Sequence, residues 1–377
     1  MRLPYSEELN IGYLSRLFDN TTNCYKFFWF QAILSKIDSE HSQFTFDELI
    51  NEMIADAWYM VTEYHLRLGP LGITDNLEEV VKYIFDTYHF PSSEKREKII
   101  SFLETTEDKK IRKYKADLTL NVPYRLQVPF YDDITIDKSM WSGPKKNLTD
   151  EINRQKRLMY YFLLISGLGT VIEVDSSWAE YLNKHKEILK SWTQLKLIQY
   201  LQNKNPSVPG IADKIEPPVA RDIERVRKYW KLIIQIDPSL HDIYGDVDLS
   251  DRTISIDHFV PWQYVAHDEL WNLHPTTRSI NSSKSNLLPS WTLYFDGLGE
   301  IEYKAYRMKA ENEMVAKEFN KIAPYHLNNQ EIRNQLYVDG LSETEFKNRL
   351  DHVIRPVYES AKNCGFREWI YSEGDCV

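Results

Sequence analysis

Apolar positions along the chain fall mostly at helical spacing, in blocks separated by short polar or proline-containing breaks. Asn20-Thr21-Thr22-Asn23 supplies capping side chains ahead of the aromatic run Tyr25 to Ile37, which predicts a buried helix. Between Phe46 and Leu68, the stripe Leu49, Ile50, Met53, Ile54 and Ala57 predicts another, ended by Pro70, Gly72 and Asp75-Asn76. Leu77 to Tyr88 and Ser92 to Glu104 predict two more. Leu118 to Tyr131 alternates and holds two prolines, so short strands or extended loop are expected there. Asp132 to Asp150, with Gly143-Pro144, reads as a linker.

Downstream, Glu151 to Leu168, Trp178 to Gln202 and Val219 to Ile236 predict helices, with Asn205 to Pro218 a proline-rich connector. In the last of these helices Ile223, Val226, Trp230 and Ile233 share one face, and Arg221, Arg225 and Lys228 another. The pattern then changes. A glycine turn near Gly245 precedes Thr253-Ile254-Ser255-Ile256, which alternates as a strand does. A polar, aromatic block runs to Trp291, and Ala305 to Ala361 is helical and acidic, broken at Pro324 and near Gly340. The fold class expected is α+β, mostly α-helical with one small strand-bearing segment. Four regions are expected: 1–150, 151–236, 237–295 and 296–377.

Composition narrows the class. With 42% hydrophobic residues and 13% aromatics, 377 residues can bury more than one core, so extensive disorder is excluded. Three cysteines, Cys24, Cys364 and Cys376, form neither a disulfide framework nor a zinc ribbon, which suits a reducing cytosol. No apolar run reaches membrane-spanning length, and the opening MRLPYSEELN lacks a signal-peptide layout, so a cytoplasmic protein is expected. The net charge of −10 argues against a polyanionic partner only on average. From Lys184 to Lys231, eleven basic residues face five acidic ones, so the acidic excess lies elsewhere and a nucleic acid remains open as a partner.

The chemistry concentrates between Ile254 and Pro289. The strand ends in Asp257-His258, followed by Pro261; Asn272 stands fourteen residues after His258, Asn281 nine further on, then Lys284-Ser285. A strand end presents neighbouring Asp and His side chains close together on different faces. A following short helix carrying Asn281 can return to the same cleft. One carboxylate and one amide oxygen make a sparse, hard-oxygen site of the kind Mg²⁺ favours, because that ion keeps waters and takes phosphate oxygens. A neutral histidine beside such an ion is poised to deprotonate water near neutral pH. The set suits hydrolysis of a phosphodiester.

This block resembles the HNH endonuclease family, a two-stranded hairpin packed on a helix around one metal, with spacing like that in RNA-guided CRISPR nucleases. The resemblance rests on Asp257-His258, Pro261, Asn272 within Trp-Asn-Leu, Asn281 and Lys284-Ser285, and covers roughly 50 residues. It implies that His258 is the general base and that Asp257 and Asn281 hold the metal, Mg²⁺ or Mn²⁺. It also implies that Asn272 braces the loop holding the base and that Lys284 lies near the scissile phosphate. Many HNH domains add Cys-x-x-Cys knuckles for structural zinc. Here Asp242 to Asp246 contains no cysteine, so no structural zinc is expected and packing by Tyr244, Trp262 and Trp271 is expected to replace it.

The resulting expectation is a metal-dependent HNH endonuclease acting on DNA, with RNA left open, in bacterial anti-phage defence or a mobile element. The nuclease occupies 237–295; residues 1–150 serve recognition or regulation, and 151–236 form a locally basic connector. Arg278, Arg221, Arg225 and Lys228 are the expected DNA contacts. Surplus aromatic helical surface, as at Phe27 to Phe30, points to a homodimer or a protein partner. The rival expectation is a non-catalytic binding or scaffold protein with the same fold.

Overall fold

The computed structural model describes residues 2–131, 136–216, 223–250 and 253–372; Arg221 lies outside them. The chain is a mostly helical α+β protein. Its internal contacts divide it into two compact units, Met1–Pro206 with Ile215–Pro217, and Ser207–Lys214 with Pro218–Val377. Among the described residues no helix is long and apolar enough to cross a membrane.

The first unit is built on the helices Tyr25–Lys36 and Phe46–Thr62. Both are apolar around much of their circumference, so Phe28, Trp29, Phe30, Ile50 and Met53 are all buried. Thr45 opens the second helix with a reciprocal cap: its hydroxyl accepts from Glu48 N, while Glu48 Oε2 accepts from Thr45 N. Beside them lies a three-stranded antiparallel sheet of β1 (Gln43–Thr45), β2 (Tyr160–Leu164) and β3 (Val171–Val174), with β3 central.

Four sequence expectations fail in this unit. Glu151 to Leu168 is not one helix, because Tyr160–Leu164 pairs as a strand with β3 across the turn at Gly167–Gly169. Tyr160 and Phe162 point inward while Tyr161 is half-buried, a period of two that a short apolar run conceals. Leu118 to Tyr131 contains the helix Val122–Arg125 rather than strands; Pro123 sits in its first turn, where a missing N–H costs nothing. The expected linker holds the helices Lys138–Ser142 and Lys145–Asn153, the second opened by Pro144. The expected helix Trp178 to Gln202 is divided at His185 into Ser176–Lys184 and Lys186–Lys204.

The second unit surrounds one hairpin. β4 (Ile254–His258) pairs antiparallel with β5 (Leu273–Thr277), and the helix Arg278–Lys284 follows β5 directly. Thr277 makes that junction, its hydroxyl accepting from Ile280 N at 3.3 Å. The helix Glu224–Ile236 lays Val226, Trp230, Ile233 and Ile234 on the hairpin, and Trp230 Nε1 donates to Leu273 O at 3.1 Å. The helices Trp291–Glu311, Glu313–His326 and Glu343–Asn363 complete the core. β6 (Leu288–Pro289) pairs in parallel with β7 (Glu368–Trp369), which returns the end of the chain to the hairpin.

Candidate functional site

The hairpin register sets Asp257 opposite His274 and His258 opposite Leu273. Successive strand residues face opposite ways, so the two side chains enter different surroundings. Asp257, 4% exposed, faces the helix Arg278–Lys284. Its Oδ2 accepts from Tyr244 Oη at 2.7 Å. Lys284 Nζ lies 3.1 Å from both carboxylate oxygens and donates to His258 O at 2.7 Å. Lys284 has no solvent exposure, and that burial pushes its ammonium below the usual lysine range against the pull of Asp257. Burial likewise raises the Tyr244 hydroxyl well above its ordinary range, and Asp257 adds to the rise.

His274 completes this wall. Its Nε2 is 3.7 Å from Asp257 Oδ2, neither ring nitrogen has a hydrogen-bond partner among the described residues, and burial pulls its pKa down to about 4. It is a neutral imidazole at neutral pH. Its position beside Asp257 comes from the hairpin pairing.

His258 faces the other way. Its Nε2 is 2.8 Å from Asp268 Oδ1, in the loop between the two strands. A carboxylate there can accept the Nε2 hydrogen. The carbonyl of Asp268 is in turn hydrogen-bonded to His326 Nδ1 at 2.7 Å, and Glu269 accepts from Asn328 N and Nδ2. Sequence reasoning missed Asp268; the run His267-Asp268-Glu269 was the available signal, ten residues from the histidine it serves.

The two asparagines hold different ground. Asn272 is fully buried and closes both amide groups on Val260, next to the Asp-His strand end. Asn281 donates Nδ2 to Ser255 Oγ at 2.7 Å and to Ile256 O at 3.2 Å. Because a carbonyl can only accept, Ile256 fixes which end of the amide faces β4. Asn281 Oδ1 is left without a partner among the described residues.

Asp242 ties the turn ahead of β4 to β5. Its Oδ1 accepts from Tyr244 N at 2.9 Å and Gly245 N at 2.7 Å, and its Oδ2 accepts from the Thr276 hydroxyl of β5. The Tyr244 ring meets His274, Tyr294 and Trp369 edge-on. Gly245 is required here, since a Cβ would lie 2.7 Å from the Tyr371 ring.

No group of three or more His, Cys, Asp or Glu side chains that could hold a metal occurs among the described residues. An oxygen site of two protein donors is a different matter. The free Oδ1 of Asn281 and the carboxylate of Asp257 are hard donors that fit Mg²⁺ or Mn²⁺ in kind. In this conformation, however, the carboxylate carries Lys284 and Tyr244.

Of the expected DNA contacts, Arg278 is exposed at the start of the helix bearing Asn281 and Lys284, with no ion-pair partner among the described residues. Arg225 lies 4.2 Å from the centre of the Tyr325 ring, and Lys228 is exposed one turn along the same helix.

Residues 242–290 match a family model described as HNH endonuclease, and this segment is the chain's HNH domain. No curated protein and no solved structure matches the chain.

Proposed function

We propose that the second unit is a divalent-metal-dependent endonuclease that hydrolyses phosphodiester bonds of DNA. An HNH domain points to nuclease chemistry in general; the finer reading rests on one observation above all. His258, at the end of β4 and adjacent to Asp257, has its Nε2 engaged by Asp268 at 2.8 Å. That contact orients the ring and stabilises the imidazolium formed when Nδ1 takes a proton from an attacking water.

Asp257 and Asn281 Oδ1 are the residues that would hold the metal, which supplies charge neutralisation to the phosphate when bound. Asn272 keeps the backbone beyond His258 in place. Lys284 supplies positive charge on the inner side of the hairpin, and Arg278 binds backbone phosphate from the exposed start of the helix. The helical first unit serves recognition or regulation, and we place the protein in bacterial defence against phage or in a mobile element.

The test is incubation of plasmid, linear duplex, single-stranded DNA and RNA with purified protein, with and without Mg²⁺ or Mn²⁺. Nicking of DNA that needs metal and is lost in His258→Ala supports the reading. Binding without cleavage under every condition would return the protein to the class of non-catalytic scaffolds.

A further inference from the structure

Lys284 contacts every part of the strand end that a metal at Asp257 would have to share. Its ammonium is 3.1 Å from Oδ1, 3.1 Å from Oδ2 and 2.7 Å from the carbonyl of His258. The ammonium thus makes two hydrogen bonds and a further ion-pair contact, and no solvent reaches the group. Among the described residues, Tyr244 is also hydrogen-bonded to the carboxylate, the neutral His274 lies 3.7 Å away, and a second buried carboxylate, Asp242, interacts with it electrostatically. The buried cluster thus holds two carboxylates, those of Asp257 and Asp242, with one ammonium. A divalent ion entering beside Lys284 would set three positive charges against at most two negative ones in a buried place. Mutual repulsion in such surroundings is poorly screened.

We propose that Lys284 is a built-in competitor of the metal: it occupies the cation position at Asp257 in the resting protein and must withdraw before a divalent ion can bind. The proposal rests on the reading of Asp257 and Asn281 as the metal donors. Its geometry is favourable for such an exchange. Lys284 is the last residue of its helix, on a flexible four-carbon stem, and the chain turns at once through Ser285 with φ of 47°. Asn281, one turn earlier, is anchored to β4 by its nitrogen and stays in place with its oxygen free. An anionic phosphate offers the displaced ammonium a new partner, so substrate and metal favour one another's binding.

A competitor lowers apparent metal affinity by the fraction of molecules in which the site is free. Removing it raises that affinity even though a buried ion pair is lost. The experiment is titration of the full-length protein with Mn²⁺, followed by electron paramagnetic resonance without nucleic acid, on wild type, Lys284→Met, Lys284→Arg, Asp257→Ala and Asn281→Ala. The expected result is Mn²⁺ binding about tenfold tighter or more in Lys284→Met, unchanged or weaker binding in Lys284→Arg, and binding abolished in Asp257→Ala. Equal or weaker binding by a folded Lys284→Met, with Asp257→Ala still abolishing it, overturns the competitor and leaves the donors standing. Equal binding by wild type, Asp257→Ala and Asn281→Ala overturns the donors themselves, and the competitor with them. Should Lys284→Met not fold, the wild-type lysine reports instead, through acetylation by an amine-reactive reagent read by mass spectrometry. Lys284 is expected to be protected without Mn²⁺ and modified at saturating Mn²⁺; protection that saturating Mn²⁺ leaves unchanged overturns the proposal.

Discussion

Asn272 spends its whole side-chain amide on the backbone of one residue, Val260: Oδ1 accepts from Val260 N and Nδ2 donates to Val260 O, each at 2.8 Å. The main chain repeats the tie one residue earlier, where Phe259 N donates to Asn272 O at 2.9 Å. Together these clamp the chain immediately after His258, so the rotamer of the histidine starts from a fixed backbone.

Replacing Asn272 by Ala leaves a buried N–H and a buried C=O without partners. The expected cost is about 2–6 kcal/mol of stability, from about 1–3 kcal/mol for each unsatisfied group. Urea unfolding measures it. An unchanged midpoint would mean that water enters and satisfies Val260.

Cleavage by His258→Ala is expected to fall by about 10²- to 10⁴-fold with DNA binding retained, since the side chain supplies a proton acceptor. Asp268→Asn keeps the volume but offers no charge to the imidazolium. Its cleavage is expected to fall by about tenfold or more, again without loss of binding. Single-turnover nicking rates decide both; an Asp268→Asn enzyme with wild-type rates removes Asp268 from the mechanism.

A pH effect is expected in the first unit. Asp75 caps the helix Asn76–Tyr88, with Oδ1 accepting from Leu77 N and Glu78 N, yet burial raises its pKa to about 6. The folded state therefore holds this proton more tightly than the unfolded chain, whose aspartate titrates near 3.9. Its contribution is full below about pH 4 and is lost as pH rises through about 6. Asp75→Asn keeps the cap and removes the ionisation, so it should stabilise the protein by about 2–3 kcal/mol at pH 7.5 and by nothing at pH 4. Thermal melts at the two pH values test the sign; a destabilised variant at pH 7.5 would show that the charge is needed at the cap.

Salt dependence tests the basic residues. Each phosphate contact contributes about 0.9 to the slope of log K against log salt on duplex DNA. Replacing Arg278, Arg225 and Lys228 together by Ala should flatten the slope by about 2–3 units if all three touch phosphates. A slope that drops by about one assigns the contact to a single residue, and an unchanged slope assigns it to none.

How much of this was legible in the sequence depends on the range of the interaction. β4 was readable because Ile254 and Ile256 alternate with Ser255, and the helix with Asn281 because its residues follow the strand without a breaker. β2 was not, since an apolar run of five residues satisfies a helix and a strand equally and its partner β3 lies beyond a turn. Pro123 and Pro144 disguised helices as loop because each stands at a helix start, the one place where proline is welcome. The Asp-His pair and both asparagines were visible as spacing. Asp268 was not, since its contact with His258 closes across a loop, and nothing in a lysine's neighbours along the chain announces the complete burial of Lys284.

The parallel pair of β6 and β7 bears on how the protein is made. Leu288 sits opposite Glu368, about 80 residues later, and Ser290 N donates to Trp369 O at 2.9 Å. Trp369 also packs on the ring of Tyr244, the same side chain whose hydroxyl holds Asp257. A chain emerging from the ribosome thus exposes the whole Asp-His hairpin long before the segment that buttresses it has been synthesised. Contacts of such sequence separation form late. During translation the hairpin remains loosely held, and it tightens only once the residues around Trp369 are free to dock.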